Sequence, residues 1–159
     1  MSELHPIVAA TGSSGSGTSS VKTAFEHIFR SEGIKPAIIE GDSFHRFDRH
    51  TMEAEVERAE ARGQSLTHFG PAGNLLGELE TLFRTYAENG SGQHRHYVHT
   101  NRDSRIYDTK PGHFTDWSPL SRDTDLLFYE GLHGGFVGEA TDIARHVDLL
   151  IGVVPIINL

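Results

Sequence analysis

The chain has 159 residues and a formal net charge of −8, with 14 Lys plus Arg against 22 Asp plus Glu. That length suits one domain, and the acidic balance argues against DNA or RNA as main partner, because nucleic-acid binders present a basic face. The absence of cysteine excludes disulfides, thiolate metal sites, a cysteine nucleophile and thiol redox control.

No run approaches the roughly 18 apolar residues of a membrane span. The N-terminus lacks the basic segment and long apolar stretch of a signal peptide. A soluble cytoplasmic domain with no membrane contact is therefore expected.

In chain order, residues 7–10 form a short apolar run that ends in a glycine-rich turn, the pattern of a buried strand. Residues 18–32 carry Val21, Ala24, Phe25, Ile28 and Phe29 at helical spacing, and Gly33 stops that helix. Residues 36–40 (PAIIE) read as a second strand ending at Gly41-Asp42. Helices are predicted over 51–62 and 74–88, the second with an apolar stripe of Leu75, Leu76, Leu79, Leu82, Phe83 and Tyr86. Residues 93–99 suit an edge strand or hairpin arm, and 100–123 read as loop broken by Pro111, Gly112 and Pro119. Residues 125–130 (DLLFYE) form another strand, 139–145 a short helix, and 147–157 a nearly continuous apolar strand. Apolar strands separated by helices predict an α/β fold with a largely parallel sheet flanked by helices. No helix follows the last strand, so the domain is expected to be C-terminally incomplete.

Between the first strand and first helix stands Gly12-Ser13-Ser14-Gly15-Ser16-Gly17-Thr18-Ser19. This is the arrangement of a phosphate-binding P-loop, with Thr18 where lysine normally stands. Its glycines let backbone N–H groups converge on phosphate oxygens, and the helix N-terminus adds positive potential. Ser19 occupies the hydroxyl position that helps hold Mg²⁺, and Lys22, one turn on, is a candidate replacement for the missing cation. Two more strands end in carboxylates. Glu130 after LLFY fits the Walker B position beside Mg²⁺. Asp42 faces the acceptor as a candidate general base. His45, Arg46 and Arg49 beside it suit a phosphorylated acceptor, since arginine clamps phosphate bidentately. His94, His96 and His99 have no evident carboxylate or thiolate partner, so polar edge or substrate contacts are preferred over a metal site.

Taken together, GSSGSGTSSVKTAFEHIF, IEGDSFHRFDR, THFGPAGN, YVH, GHFTDW, LLFYEGLHG and IGVVPIINL resemble the bacterial form of phosphoribulokinase along the whole chain. The resemblance implies a P-loop NTPase fold of the nucleoside-kinase type. It also implies transfer of a phosphoryl group from MgATP to ribulose 5-phosphate, giving ribulose 1,5-bisphosphate for the Calvin cycle. It assigns Asp42 as base, His45 and Arg49 as sugar-phosphate contacts, and Glu130 as the acid near Mg²⁺. Thr18 in place of lysine matches this bacterial form. A homo-oligomer controlled by NADH and AMP is implied as well. The family continues into a basic segment that closes over the phosphates, so this chain alone is expected to turn over little. The rival readings are a related kinase acting on uridine or pantothenate, and a truncated nucleotide-binding paralogue without catalysis.

Overall fold

A computed structural model describes residues 4–155. Among these, β1 (Ile7–Gly12), α1 (Thr18–Glu32), β2 (Pro36–Glu40), α2 (Arg49–Glu60), α3 (Leu76–Asn89), β3 (Gln93–His94), α4 (Asn101–Tyr107), β4 (Ser118–Pro119), β5 (Leu126–Gly131) and β6 (Leu149–Val153) follow in order. The main sheet is four-stranded and parallel, in the order β2–β5–β1–β6. It is flanked by helices, as the apolar strand pattern predicts.

The alternation of β5 decides which helix lies on which face. Successive strand residues point to opposite sides, so Phe128 projects one way and Leu127 and Tyr129 the other. Phe128 meets Phe25 and Phe29 of α1, with ring centroids 5.0 and 5.5 Å away. On the opposite face, Leu127 and Tyr129 join Ile39, Leu79, Phe83 and Tyr86 in the larger core, and Phe83 meets the Tyr129 ring edge-on at 5.5 Å. Each such ring contributes roughly 1.5–3 kcal/mol on burial.

β5 lies between β1 and β2, and that placement creates the crevice. The register sets Glu130 opposite both Ala10 and Glu40, so the carboxyl ends of β1, β2 and β5 open at one level. Ligands of open α/β sheets gather at such a place. Gly41 and Gly131 follow the two glutamates and pass very close. A Cβ on Gly131 would stand 2.7 Å from Tyr129 Oη and 2.9 Å from Gly41 Cα. Only glycine permits this approach on either side.

Three local expectations need correction. Residues 101–107 form α4, within the stretch expected to be loop, because Thr100 and Asp103 make a reciprocal capping box that nucleates it. Residues 139–145 do not form a helix. Val137 bridges Asp142 instead, and only a 3-10 turn at Ala144–His146 follows. The run expected over 93–99 is shorter as a strand: β3 pairs antiparallel with β4, and Tyr97 bridges Phe114, so 93–119 is a hairpin with α4 at its tip. Of the last apolar run, 149–153 is strand, and 156–157 lie outside the described residues. Among the described residues no helix is long and apolar enough to cross a membrane.

Replacing Gly131 by alanine should lower stability by about 1–3 kcal/mol, from overpacking against Gly41 and Tyr129. Gly77 lies in α3 with nothing within 4 Å of an added Cβ, so Gly77→Ala should raise stability by about 0.5–1 kcal/mol. Urea unfolding of the two variants should shift in opposite directions.

Candidate active site

The loop between β1 and α1 is shaped for an anion. Gly17 caps α1 with φ 102°, a left-handed conformation that favours glycine. No side chain caps this helix and no acidic residue sits in its first turn. By contrast, Asp48 accepts from Thr51 N at the start of α2, and the Thr100–Asp103 box closes α4. The N-terminal N–H groups and dipole of α1 are thus left for a ligand. Ser16 N donates to Ser13 O at 3.0 Å, which tightens the turn. The buried Ser16 Oγ has no hydrogen-bond partner.

A cavity of about 340 Å³ opens beside this loop, lined by Ser14, Gly15, Thr18, Ser19, Lys22, Glu40, Asp42, His99 and Glu130. Lys22 is an ion-pair partner of Glu40. Burial alone would lower the ammonium pKa, but the hydrogen bond to Glu40 raises it above its ordinary value. Lys22 therefore reaches the cavity as half of a neutral pair rather than as a free substitute for the P-loop lysine. The Ser19 hydroxyl and Glu130 carboxylate are hard oxygen donors in one cavity. That set fits Mg²⁺, which takes one or two protein ligands and completes its octahedron with water and phosphate. Among the described residues no group of three or more His, Asp or Glu side chains forms a metal cage, as such a site requires none.

Asp42 sits in the 3-10 turn Gly41–Phe44 just past β2 and lines a second, smaller cavity of about 100 Å³. Gly12, Ser13, Ser14 and Thr18 border this space on the loop side, and His45, His68, Asn74 and His133 on the other. The carboxylate is about half exposed, with Oδ1 3.3 Å from His45 Nε2 and Oδ2 3.4 Å from His99 Nε2. The hydrogen bond from His45 lowers the Asp42 pKa against the opposing effect of desolvation, and the neighbouring His99 and His68 act in the same direction. For His45, burial opposes charge, yet hydrogen bonds to Asp42 and Asn74 raise its pKa overall. His68 and His133 move the other way, first by burial and then by the charge on His45.

The basic residues near Asp42 serve different ends. Arg46 donates to Ala72 O at 3.0 Å and Asn74 O at 3.1 Å, so it ties down a loop rather than joining an anion cradle. Arg49 opens α2 with an exposed side chain, outside the lining of both cavities. His94 and His96 pack edge to face, and His96 stacks on Tyr107 at 4.4 Å. His99, in contrast, reaches Asp42. Arg95 is a residue that sequence reasoning missed. Its guanidinium donates to Ser43 O at 2.8 Å and His45 O at 2.7 Å, and lies 3.6 Å over the Phe114 ring. It holds the Asp42 turn from a hairpin about fifty positions later, and no local spacing signals such a contact.

Known proteins give this arrangement a context. The family model described as Phosphoribulokinase / Uridine kinase family matches residues 7–159. The chain is 57% identical over 160 residues to the chromosomal phosphoribulokinase of Cupriavidus necator, covering 100% of this chain and 55% of that protein. It superimposes on the solved phosphoribulokinase from Rhodobacter spheroides with TM-score 0.85 and 49% identity, covering 96% of this chain and 52% of that one. A possible uridine kinase from Bacillus stearothermophilus, at 14% identity and TM-score 0.64 over 93% of this chain and 70% of that one, shares the fold. The chain spans about 55% of the length of the curated relatives it matches.

The Asp42–His45 pair predicts a bounded pH dependence. A lowered Asp42 pKa contributes stability that is lost as pH falls through the folded-state value. A raised His45 pKa contributes stability that is lost as pH rises through its folded-state value. Urea titrations of the parent chain and Asp42→Asn should therefore differ most in mild acid, between the ordinary carboxylate and imidazole ranges. The difference should narrow towards both extremes. A gap that is constant with pH would contradict the pairing.

Proposed function

The chain belongs to the phosphoribulokinase / uridine kinase family, and we propose that it transfers the γ-phosphoryl group of ATP to ribulose 5-phosphate, with Asp42 as general base. The observation that carries this reading is the position of Asp42, which lines both the cavity at the nucleotide loop and the cavity walled by histidines. A base at the junction of two cavities can face a phosphoryl donor and an acceptor hydroxyl together. The named phosphoribulokinases at 57% and 50% identity support the choice of acceptor.

Phosphoryl transfer passes through a loose transition state, so catalysis is chiefly positioning and charge neutralisation. In this reading residues 12–19 hold the β- and γ-phosphates through backbone N–H groups and the α1 dipole. Ser19 and Glu130 would hold Mg²⁺, which offsets the negative charge on the phosphoryl oxygens when bound. The ionised Asp42 carboxylate is placed to accept the hydroxyl proton. His45, whose pKa is raised by its hydrogen bonds to Asp42 and Asn74, would attract the acceptor's phosphate, and the family resemblance assigns Arg49 as a second contact. The Lys22–Glu40 pair removes one carboxylate's charge from the space where triphosphate must sit. A neutral nucleoside such as uridine would offer no phosphate to His45 and Arg49.

Homo-oligomer formation and control by NADH or AMP are further proposals that rest on the family resemblance.

Coupled assay of ADP release should show turnover that is low in this chain alone and requires ribulose 5-phosphate. Asp42→Asn should reduce kcat by about 10²–10⁴, the usual contribution of general acid–base catalysis, while nucleotide affinity changes little. Turnover with uridine in preference to ribulose 5-phosphate would replace the acceptor in this reading. Nucleotide binding without transfer to any acceptor would instead favour a binding module.

A further inference from the structure

Asn74 sits two residues before α3, with only 2% of its surface exposed. Its side-chain amide can adopt one orientation. Nδ2 donates to His68 O at 2.7 Å and to Gly70 O at 2.8 Å. Turning the amide over would set its oxygen against both carbonyl oxygens. Oδ1 therefore faces His45 Nδ1, 2.9 Å away. An amide oxygen only accepts, so Nδ1 must carry a proton.

The other ring nitrogen faces Asp42 Oδ1 at 3.3 Å. A neutral ring protonated on Nδ1 would place a lone pair against the carboxylate. A neutral ring protonated on Nε2 would place a lone pair against Asn74 Oδ1. Each neutral tautomer leaves two acceptors facing one another, and only the imidazolium satisfies both neighbours.

We propose that Asn74 is a positioning residue that holds a proton on His45 Nδ1 and so, with Asp42 at Nε2, excludes both neutral forms and maintains a fixed positive charge beside the catalytic carboxylate. Its catalytic significance rests on the kinase reading above: the cation is in place before a phosphorylated acceptor arrives. The charge state itself follows from the local hydrogen bonding. Around His45, burial and the Arg95 guanidinium on its carbonyl oppose the charge, and that charge in turn lowers the pKa of His68 and His133. Tyr97 presents a ring edge at 6.2 Å, and His99 occupies the second oxygen of Asp42. Asp42 and Asn74 are the groups that favour the cation.

The test is ¹⁵N–¹H long-range correlation NMR of the chain labelled at histidine, followed across pH. Both His45 ring nitrogens should be protonated at neutral pH, with a midpoint above those of His68 and His133. A neutral His45 at pH 7 in the parent chain overturns the proposal without need of any variant. In Asn74→Ala the midpoint should fall by about one unit, a tenfold change in the protonation constant, and the neutral form should carry its proton on Nε2. Asn74→Asp keeps the acceptor and adds charge, so its midpoint should rise. Unchanged midpoints in both variants overturn the proposal.

Kinetics give a separate reading. Asn74→Ala should raise KM for ribulose 5-phosphate about tenfold at neutral pH, leave KM for ATP unchanged, and recover in mild acid, where His45 is protonated regardless. An equal loss at every pH would mark a purely structural role and count against the proposal. Absence of ribulose 5-phosphate turnover in the parent chain would count against the proposed function alone, because the NMR result stands independently.

Discussion

Gly41 and Gly131 pass each other over the hydroxyl of a buried tyrosine, and the spacing of the whole crevice depends on that contact. With Cβ atoms there, β2 and β5 would have to part at their carboxyl ends. Asp42 would then move away from the nucleotide loop, and Glu130 away from Ser19. The hydroxyl beneath is itself fixed: Tyr129 is fully buried and its Oη accepts from His133 N at 3.3 Å. Desolvation pushes its pKa far up, with the charges of Asp42 and Glu130 acting in the same direction, so it stays neutral under both carboxylates. A packed core residue and two small ones thus place the chemistry.

Once placed, the carboxylates at this level of the sheet acquire different roles from their neighbours. Glu40 is paired with Lys22 and contributes little net charge. Asp42 lies between His45 and His99, which lower its pKa against desolvation. Glu130 shares a cavity with Ser19 and remains available to a cation. This division matters more than usual in a loop with Thr18 in place of lysine. The uncapped N-terminus of α1 leaves positive potential at the loop, and the ion pair of Glu40 with Lys22 limits the opposing field. A groove of about 860 Å³ between α3 and the β3–β4 hairpin is far larger than the cavities at Asp42. It contains none of this chemistry, which lies where the strands end.

Much of this was legible from residue order. A glycine-rich turn between an apolar strand and an amphipathic helix has one common architecture, so β1, the loop and α1 could be read directly. Glu130 and Asp42 could be read because each closes a strand of the same sheet. Asn74 could not: the pattern sets it at the start of the helix predicted over 74–88, and its purpose depends on carbonyls at 68 and 70 and a ring at 45. Arg95 was hidden for the same reason, since backbone carbonyls carry no residue identity. Arg46 was over-read as part of an anion cradle, because sequence proximity cannot show that it faces its own loop. The Thr100–Asp103 box was a local signal, overlooked because prolines and glycine further along the segment suggested loop throughout.

The central claim is that Asp42 is the meeting point of a phosphate site and an acceptor site. Amide NMR of the chain, titrated first with a non-hydrolysable ATP analogue and Mg²⁺ and then with ribulose 5-phosphate, tests it most directly. The nucleotide should shift the amides of Gly15, Gly17, Thr18 and Ser19. The sugar phosphate should shift those of His45, His68 and His133, and Asp42 should respond to both. Shifts confined to the groove lined by Leu82, Trp117 and Leu120, with Asp42 silent to either ligand, would contradict the account.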